Sequence, residues 1–224
     1  MSESVDDVMT EFIAFVNHQV GAYVDALAGF AGNHARVELQ VHREQRPVRA
    51  GVDAGGLPMI VWASYEDPSK PVVIHNRIVR AQDYLAANEP GGGNEEQHGR
   101  AILVFLFTYW EEEIRGRLAA ARGVAPSDIQ VDAMGDLRIL RNVILHARGI
   151  LHADRYAGLK KLKSLFAVDA SIALPCETMQ AIFEAVKQDC AKLLLDWLGV
   201  TDAPIDVGRI RDFAIQRRSR TPDA

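Results

Sequence analysis

Apolar residues recur with a helical period, at i, i+3, i+4 and i+7, over most of this chain. A helix with such a pattern has one face for the core and one face for water. The pattern predicts amphipathic helices over residues 5–30, 95–122, 134–150, 154–166 and 177–198. We therefore expect a mainly α protein, with a helical bundle formed by the last four of these segments.

Shorter stretches between residues 36 and 75 follow a different pattern. Residues 36–42 alternate apolar and polar side chains, which is typical of a half-exposed strand. Residues 57–63 and 71–75 are short β-like runs, and the turn-forming residues 67–70 lie between them. We expect a small antiparallel sheet here.

The glycine-rich segment at 88–94, Asn-Glu-Pro-Gly-Gly-Gly-Asn, is the clearest break in the sequence. It lacks the Gly-Lys-Ser/Thr ending of a phosphate-binding loop, so a hinge is favoured over a nucleotide site. The break predicts a small N-terminal α+β subdomain at residues 1–90, whose role the sequence does not give, and a helical domain at 94–200. Residues 201–224 form a basic C-terminal tail.

Composition limits the classes of function. The net charge of −5 and the pI near 5.8 argue against a protein that coats nucleic acid nonspecifically. Apolar runs are shorter than the roughly 18 residues that a membrane span needs, and the first ten residues are acidic where a signal peptide would be basic. We expect a cytoplasmic protein without membrane contact. The histidines have no partners at ligand spacing, so we expect no metal and no cofactor.

Polar residues interrupt the apolar pattern most sharply at residues 141–146, Arg-Asn-Val-Ile-Leu-His. On a helical wheel, Arg138, Arg141, Asn142 and His146 share an arc of roughly 140° that contains no carboxylate. The remainder of this helix is too apolar for a free surface. We therefore expect the arc to face a crevice or an interface with limited access to water.

These residue types suit phosphodiester chemistry. An arginine binds phosphate through a fork of donors, and a histidine takes or gives a proton near neutral pH. Attack by an RNA 2′-hydroxyl on phosphorus would use His146 as base or acid, Arg141 to stabilise charge and Asn142 to orient His146. The alternative is a structural pair of Arg and His that satisfies neighbouring polar groups.

Basic residues cluster around this segment, with one acid, Asp154, between residues 137 and 164. A phosphate-binding surface and a solvated helix face both fit this cluster. Its members are Arg138, Arg141, Arg148, Arg155, Lys160, Lys161 and Lys163. On the preceding helix, Glu113 is a candidate acid to orient Arg141 or His146, although a plain surface acid is the favoured interpretation.

The Arg-Asn-x-x-x-His hexad stands in LRILRNVILHARGI, after a long aromatic-rich helix that contains FLFTYWEEEIRGRL. This combination, across about residues 94–200, resembles the HEPN (higher eukaryotes and prokaryotes nucleotide-binding) superfamily. The resemblance implies an all-α bundle that dimerises, with the motif positions Arg141, Asn142 and His146 of both copies at a shared cleft. It also implies a metal-independent ribonuclease of the kind found among toxins and phage-defence effectors.

A two-fold homodimer would also supply a second proton-transfer histidine, because an isologous interface repeats every residue across the axis. We therefore expect a metal-independent endoribonuclease that acts on RNA as a homodimer, with Arg138 and Arg148 as further RNA-binding residues. A binding module that grips a nucleotide, RNA or protein without cleavage is the alternative. A third hypothesis adds an antitoxin protein, encoded nearby, that controls the enzyme.

Overall fold

The computed structural model describes residues 3–42, 59–65, 73–197 and 199. Helices dominate this part of the chain, which confirms the prediction of a mainly α protein. They are α1 (Val5–His42), α2 (Ala81–Asn88), α3 (Gly93–Tyr109), α4 (Arg115–Arg122), α5 (Asp132–His146), α6 (Ala153–Ala157) and α7 (Cys176–Trp197). Two antiparallel sheets have two strands each, β1 (Met59–Tyr65) with β2 (Val73–Arg80), and β3 (Ile150–Leu151) with β4 (Ala170–Ser171).

The chain divides into two compact units. One unit joins Met1–Tyr23 to Gly99–Ala224, and the other is Val24–His98. The predicted boundary at residues 88–94 differs from this division, because the first part of α1 belongs to the same unit as the hexad. The predicted basic tail, residues 201–224, lies outside the described residues.

The unit Val24–His98 contains the small antiparallel sheet that the sequence predicts. Strand β1 pairs with β2 from Met59↔Arg80 to Tyr65↔Val73, with an irregularity between Trp62 and Ala63. The predicted turn at 67–70 lies outside the described residues. The predicted strand at 36–42 is wrong, because α1 continues through Gly32 to His42 without a break.

The glycine-rich segment forms a hydrogen-bonded turn between α2 and α3. The backbone N–H of Gly91, in the left-handed region at φ +73°, donates to Glu95 Oε2 over 2.7 Å. Asn88 is buried and donates from Nδ2 to the carbonyl of Tyr84 over 2.7 Å. These contacts fix a tight helix-to-helix connection.

The core of the other unit is built from the faces that the apolar pattern predicts. Between residues 93 and 122 the chain is helical throughout, with a π turn at Trp110–Ile114 between α3 and α4. The predicted core line of this segment is buried, as are the apolar positions of α7 up to Cys190. The residues of that line are Leu103, Phe107, Trp110, Ile114 and Leu118. From α1, Phe12 packs on Trp110 with 5.0 Å between ring centroids.

An ionic cluster ties α1 to α4 at the edge of this core. The Arg117 guanidinium donates to both carboxylate oxygens of Glu11, over 2.9 and 2.6 Å, and also to Glu3. The Tyr109 hydroxyl donates to Glu11 over 2.8 Å. The hydrogen bonds from Arg117 and Tyr109 lower the pKa of Glu11 from 4.5 to about 2.

This low pKa of Glu11 predicts how the stability of the fold changes with pH in the acid range. The contribution of Glu11 is complete above pH 4.5 and is lost as the pH falls toward 2, because the folded state must then bind a proton against Arg117. We expect Arg117→Gln to flatten the fall in the free energy of unfolding between about pH 5 and about pH 3 in urea titrations. Arg122→Gln is the control, since within the described residues Arg122 packs over Trp197 and has no carboxylate partner. Equal pH dependence in both variants would contradict this assignment.

The helix predicted at 154–166 is wrong. Helix α6 ends at Ala157, and a loop follows to a single 3-10 turn at Lys163–Leu165. The buried carboxylate of Asp136 accepts hydrogen bonds from the backbone N–H groups of Lys160, Lys161 and Leu162, over 2.7–3.1 Å. In a continued helix those groups would bond to carbonyls four residues earlier. The hydrogen bonds to Asp136 thus hold residues 160–162 in a loop, and the predicted helix does not continue through them.

Candidate functional site

Helix α5 positions the hexad, and its first turn is fixed by a neighbouring helix. The backbone N–H of Ala133 donates to Asp189 Oδ2 of α7 over 2.9 Å, which satisfies a donor that α5 itself leaves unpaired. Leu137, Leu140 and Val143 are buried, and α5 packs against α7. The apolar face predicted for α5 is therefore covered by protein.

The opposite face of α5 carries the predicted arc. Arg138 and His146 are exposed, and Arg141 and Asn142 are half-buried. Leu145, which lies between Arg141 and His146 on the helical wheel, is 48% exposed. The arc was expected to have limited access to water, but two of its four side chains face solvent in the single chain, as does Leu145. A single exposed leucine is common on protein surfaces and does not by itself mark a contact surface.

Arg141 is held by its neighbour in sequence. Its Nη1 donates to Asn142 Oδ1 over 3.0 Å. Its Nε is buried, and no described residue accepts a hydrogen bond from it. Asn142 thus orients the guanidinium, where the sequence suggested that it would orient His146. A buried donor without an acceptor costs about 1–3 kcal/mol.

A sharp turn ends α5 directly after the hexad. Arg148 and Gly149 both have left-handed backbone angles, with φ of +53° and +76°, and the N–H of Gly149 donates to the carbonyl of Val143 over 3.0 Å. This bond, between residues six apart, closes the end of the helix. The guanidinium of Arg100 lies against Gly149, 3.1 Å from where a Cβ would stand. Arg148 consequently projects from the turn as an exposed side chain.

The structure separates the basic cluster of the sequence into two groups. In the first group, cations are already engaged by the protein. Lys160 pairs with Asp132 at 2.7 Å, Lys161 with Asp189 at 3.0 Å and Arg155 with Asp154 at 3.5 Å, while Lys163 lies over the ring of Tyr156. In the second group, Arg138, Arg141 and Arg148 have no ion pair with any described residue. Within this basic cluster, the cations with neither an ion pair nor an aromatic contact to a described residue are therefore those of the hexad helix and its terminal turn.

The candidate orienting acid does not contact the hexad. Glu113 is exposed in the π turn, and among the described side chains it has neither a hydrogen bond nor an ion pair with Arg141 or His146. Arg141 is oriented by Asn142 instead, and no described carboxylate contacts His146.

Two carboxylates near the hexad were missed from sequence. Asp136 lies at about 220° on the α5 wheel, inside the apolar face, so a charged residue at a predicted core position was the available signal. Asp169 contacts His152, with 3.1 Å between Oδ1 and Nδ1. Its distance of 17 residues in sequence gives no periodic signal, because the intervening loop decides the contact.

No protein-family model matches this chain, and no curated protein or solved structure gives a significant match. Within the described residues, no helix combines the length and apolar character of a membrane span. The same part of the chain contains no group of three or more His, Cys, Asp or Glu residues arranged to hold a metal ion.

Proposed function

We propose that this protein is a metal-independent endoribonuclease of HEPN type. The observation that carries the proposal is a group of three arginines without counter-charges on α5 and on the turn that ends it. Arg138, Arg141 and Arg148 have no ion pair within the described structure, although the chain as a whole carries a net charge of −5. Local positive charge that a protein leaves unpaired is suited to an anionic ligand such as a phosphodiester backbone.

The residues of the arc suit cleavage by the RNA 2′-hydroxyl. His146, exposed in the last turn of α5, removes the 2′-hydroxyl proton. Arg141, fixed by Asn142, stabilises the charge that develops on the phosphoryl oxygens. Arg138 and Arg148 hold the flanking phosphates. This division of roles requires only groups that the chain itself provides.

A homodimer fits the exposure of this face. The resemblance implies that Arg141, Asn142 and His146 of two copies meet at a shared cleft, and Leu145, on the same face of α5, is 48% exposed in the single chain. Contact between two copies would cover Leu145 and restrict water around Arg141 and His146. As in the superfamily that the sequence resembles, the biological setting would be a toxin or a phage-defence effector, with an antitoxin as the controlling partner.

One observation favours the alternative of a binding module without catalysis. His146 is exposed and has no described carboxylate to hold its imidazole, whereas Arg141 is already oriented for anion binding. Such a site would bind a nucleotide or RNA and leave it intact.

The decisive experiment is incubation of the purified protein with mixed RNA in EDTA. We expect cleavage that leaves 2′,3′-cyclic phosphate and 5′-hydroxyl ends, because the 2′-oxygen is the nucleophile. An oligonucleotide with 2′-deoxy sugars should bind but resist cleavage, and sedimentation should show a dimer. A change in the fluorescence anisotropy of labelled RNA, without any cleavage of that RNA, would support the binding module. Cleavage that depends on added magnesium would refute the proposed chemistry.

A further inference from the structure

The pair formed by His152 and Asp169 stands directly after the hexad helix. The side chains are exposed by 59% and 66%, and His152 Nδ1 lies 3.1 Å from Asp169 Oδ1. A carboxylate on one ring nitrogen fixes the ring and leaves the other, Nε2, to act on a ligand. Among the described residues nothing hydrogen-bonds to that Nε2. This arrangement is suited to proton transfer.

The backbone around this pair is rigidly tied to the end of α5. The N–H of Ile150 donates to the carbonyl of Ala147 over 3.0 Å, and the N–H of Ile172 donates to the carbonyl of Gly149 over 2.7 Å. The N–H of Asp169 donates to the carbonyl of Leu151 over 2.8 Å, next to His152. His152 follows His146 by six positions, so their Cα atoms are at most about 20 Å apart, and the turn shortens this further.

Asp169 has a left-handed backbone conformation. Its φ is +56°, in the left-handed region that side chains other than those of Gly, Asn and Asp rarely adopt. The turn before β4 therefore directs a carboxylate toward His152 with a backbone that few residues could supply. Such backbone conformations concentrate at functional sites.

We propose that His152 is the general acid of RNA cleavage and that Asp169 is its positioning residue. The inference rests on the proposed ribonuclease function. His146 takes the 2′-hydroxyl proton, the 2′-oxygen bonds to phosphorus, and the bond from phosphorus to the 5′-oxygen breaks. The Nε2 proton of the His152 imidazolium passes to that departing oxygen, while the Nδ1 proton stays hydrogen-bonded to Asp169. One chain then supplies both a base and an acid.

The test uses an oligonucleotide across a mapped cleavage position and the same molecule with sulfur in place of the scissile 5′-oxygen. Sulfur leaves without protonation, so loss of a general acid has no effect on that substrate. On the oxygen substrate we expect His152→Ala to lower the rate about 10²-fold or more. On the sulfur substrate its rate should stay within about threefold of wild type, whereas His146→Ala should be slow on both.

Asp169→Asn separates positioning from folding, because Asn also tolerates the left-handed backbone. We expect the cleavage rate of this variant to fall about tenfold on the oxygen substrate and to stay unchanged on the sulfur substrate. Asp154→Asn, at a nearby exposed acid, is the control and should match wild type on both.

Equal losses of His152→Ala on both substrates, or no loss on either, would overturn the inference while leaving the ribonuclease proposal intact. A wild-type protein that cleaves neither substrate would instead refute the proposed function, and this inference with it.

Discussion

Replacing Asp136 with Asn is expected to lower the free energy of unfolding by about 3 kcal/mol, because hydrogen bonds from three backbone N–H groups lose their charged acceptor. The amide would also turn an NH2 group toward donors. For a chain of this length, the melting temperature should fall by roughly 6–12 °C. Calorimetry or thermal circular dichroism measures this shift directly.

Asp132→Asn is a matched control one helical turn away. It removes the same charge from the same helix, but Asp132 pairs with the exposed Lys160 side chain, and solvent already screens that pair. We expect its melting temperature to stay close to that of wild type. Similar falls in the melting temperature of both variants would show that the loss of a negative charge, and not the loss of the hydrogen bonds from the backbone of residues 160–162, lowers the stability.

Replacing His146 with Ala is expected to lower the rate of RNA cleavage by about 10²- to 10⁴-fold, since the base for the 2′-hydroxyl is lost. Arg141→Ala should lower it by about 10²- to 10³-fold, as removal of a charge-stabilising donor does in other enzymes. Both side chains are solvent-accessible on α5, so the fold and the dimer should persist. Single-turnover kinetics with sedimentation of each variant checks both expectations.

Mixing these two inactive variants tests whether the site is shared between copies. If Arg141 of one copy acts with His146 of the other, a mixed dimer retains one intact site. After exchange, half of the dimers are mixed, so activity should recover to roughly a quarter of the wild-type rate. Arg138→Ala is the control, because loss of a phosphate contact should weaken RNA binding and its salt dependence without abolishing cleavage. A mixture that stays inactive would place both groups of one site within one copy.

The helices that could be predicted from sequence are those whose buried apolar residues recur at one regular spacing without interruption. In α5 and α7, apolar residues recur every three or four positions, and the structure buries those faces. The error at residues 36–42 has a physical cause. Val37 is 4% exposed and Leu39 is 56% exposed, an alternation that a strand and a helix both produce over so few residues. Helix α1 also tolerates Gly32 in its interior, at a cost of about 1 kcal/mol.

The error at residues 154–166 has a different origin. The segment has a helical pattern, but its N–H groups bond to Asp136, which lies 24 to 26 residues earlier. A contact between residues so far apart in sequence leaves no periodic pattern from which it could be predicted. The same holds for the contact between His152 and Asp169. The hydrogen bond between Arg141 and Asn142 joins neighbours in sequence, but it depends on their side-chain rotamers, which the periodic pattern does not give. The residue types of the arc could be predicted, whereas their partners depend on the fold.

The hydrogen bonds from the backbone of Lys160–Leu162 to Asp136 join two distant parts of the chain and so close a ring. The chain runs from Asp136 along α5, turns at Gly149, and returns to the same carboxylate about 24 residues later. Closure entropy grows only with the logarithm of ring size, so a doubling costs about 0.6 kcal/mol. Extra residues introduced at the exposed Gly158 would leave both ends of the ring anchored. Lengthening the ring here is consequently expected to cost little closure entropy, and any larger cost would come from the packing of Gly158, where an added Cβ would stand 3.1 Å from Ile139 Cδ1.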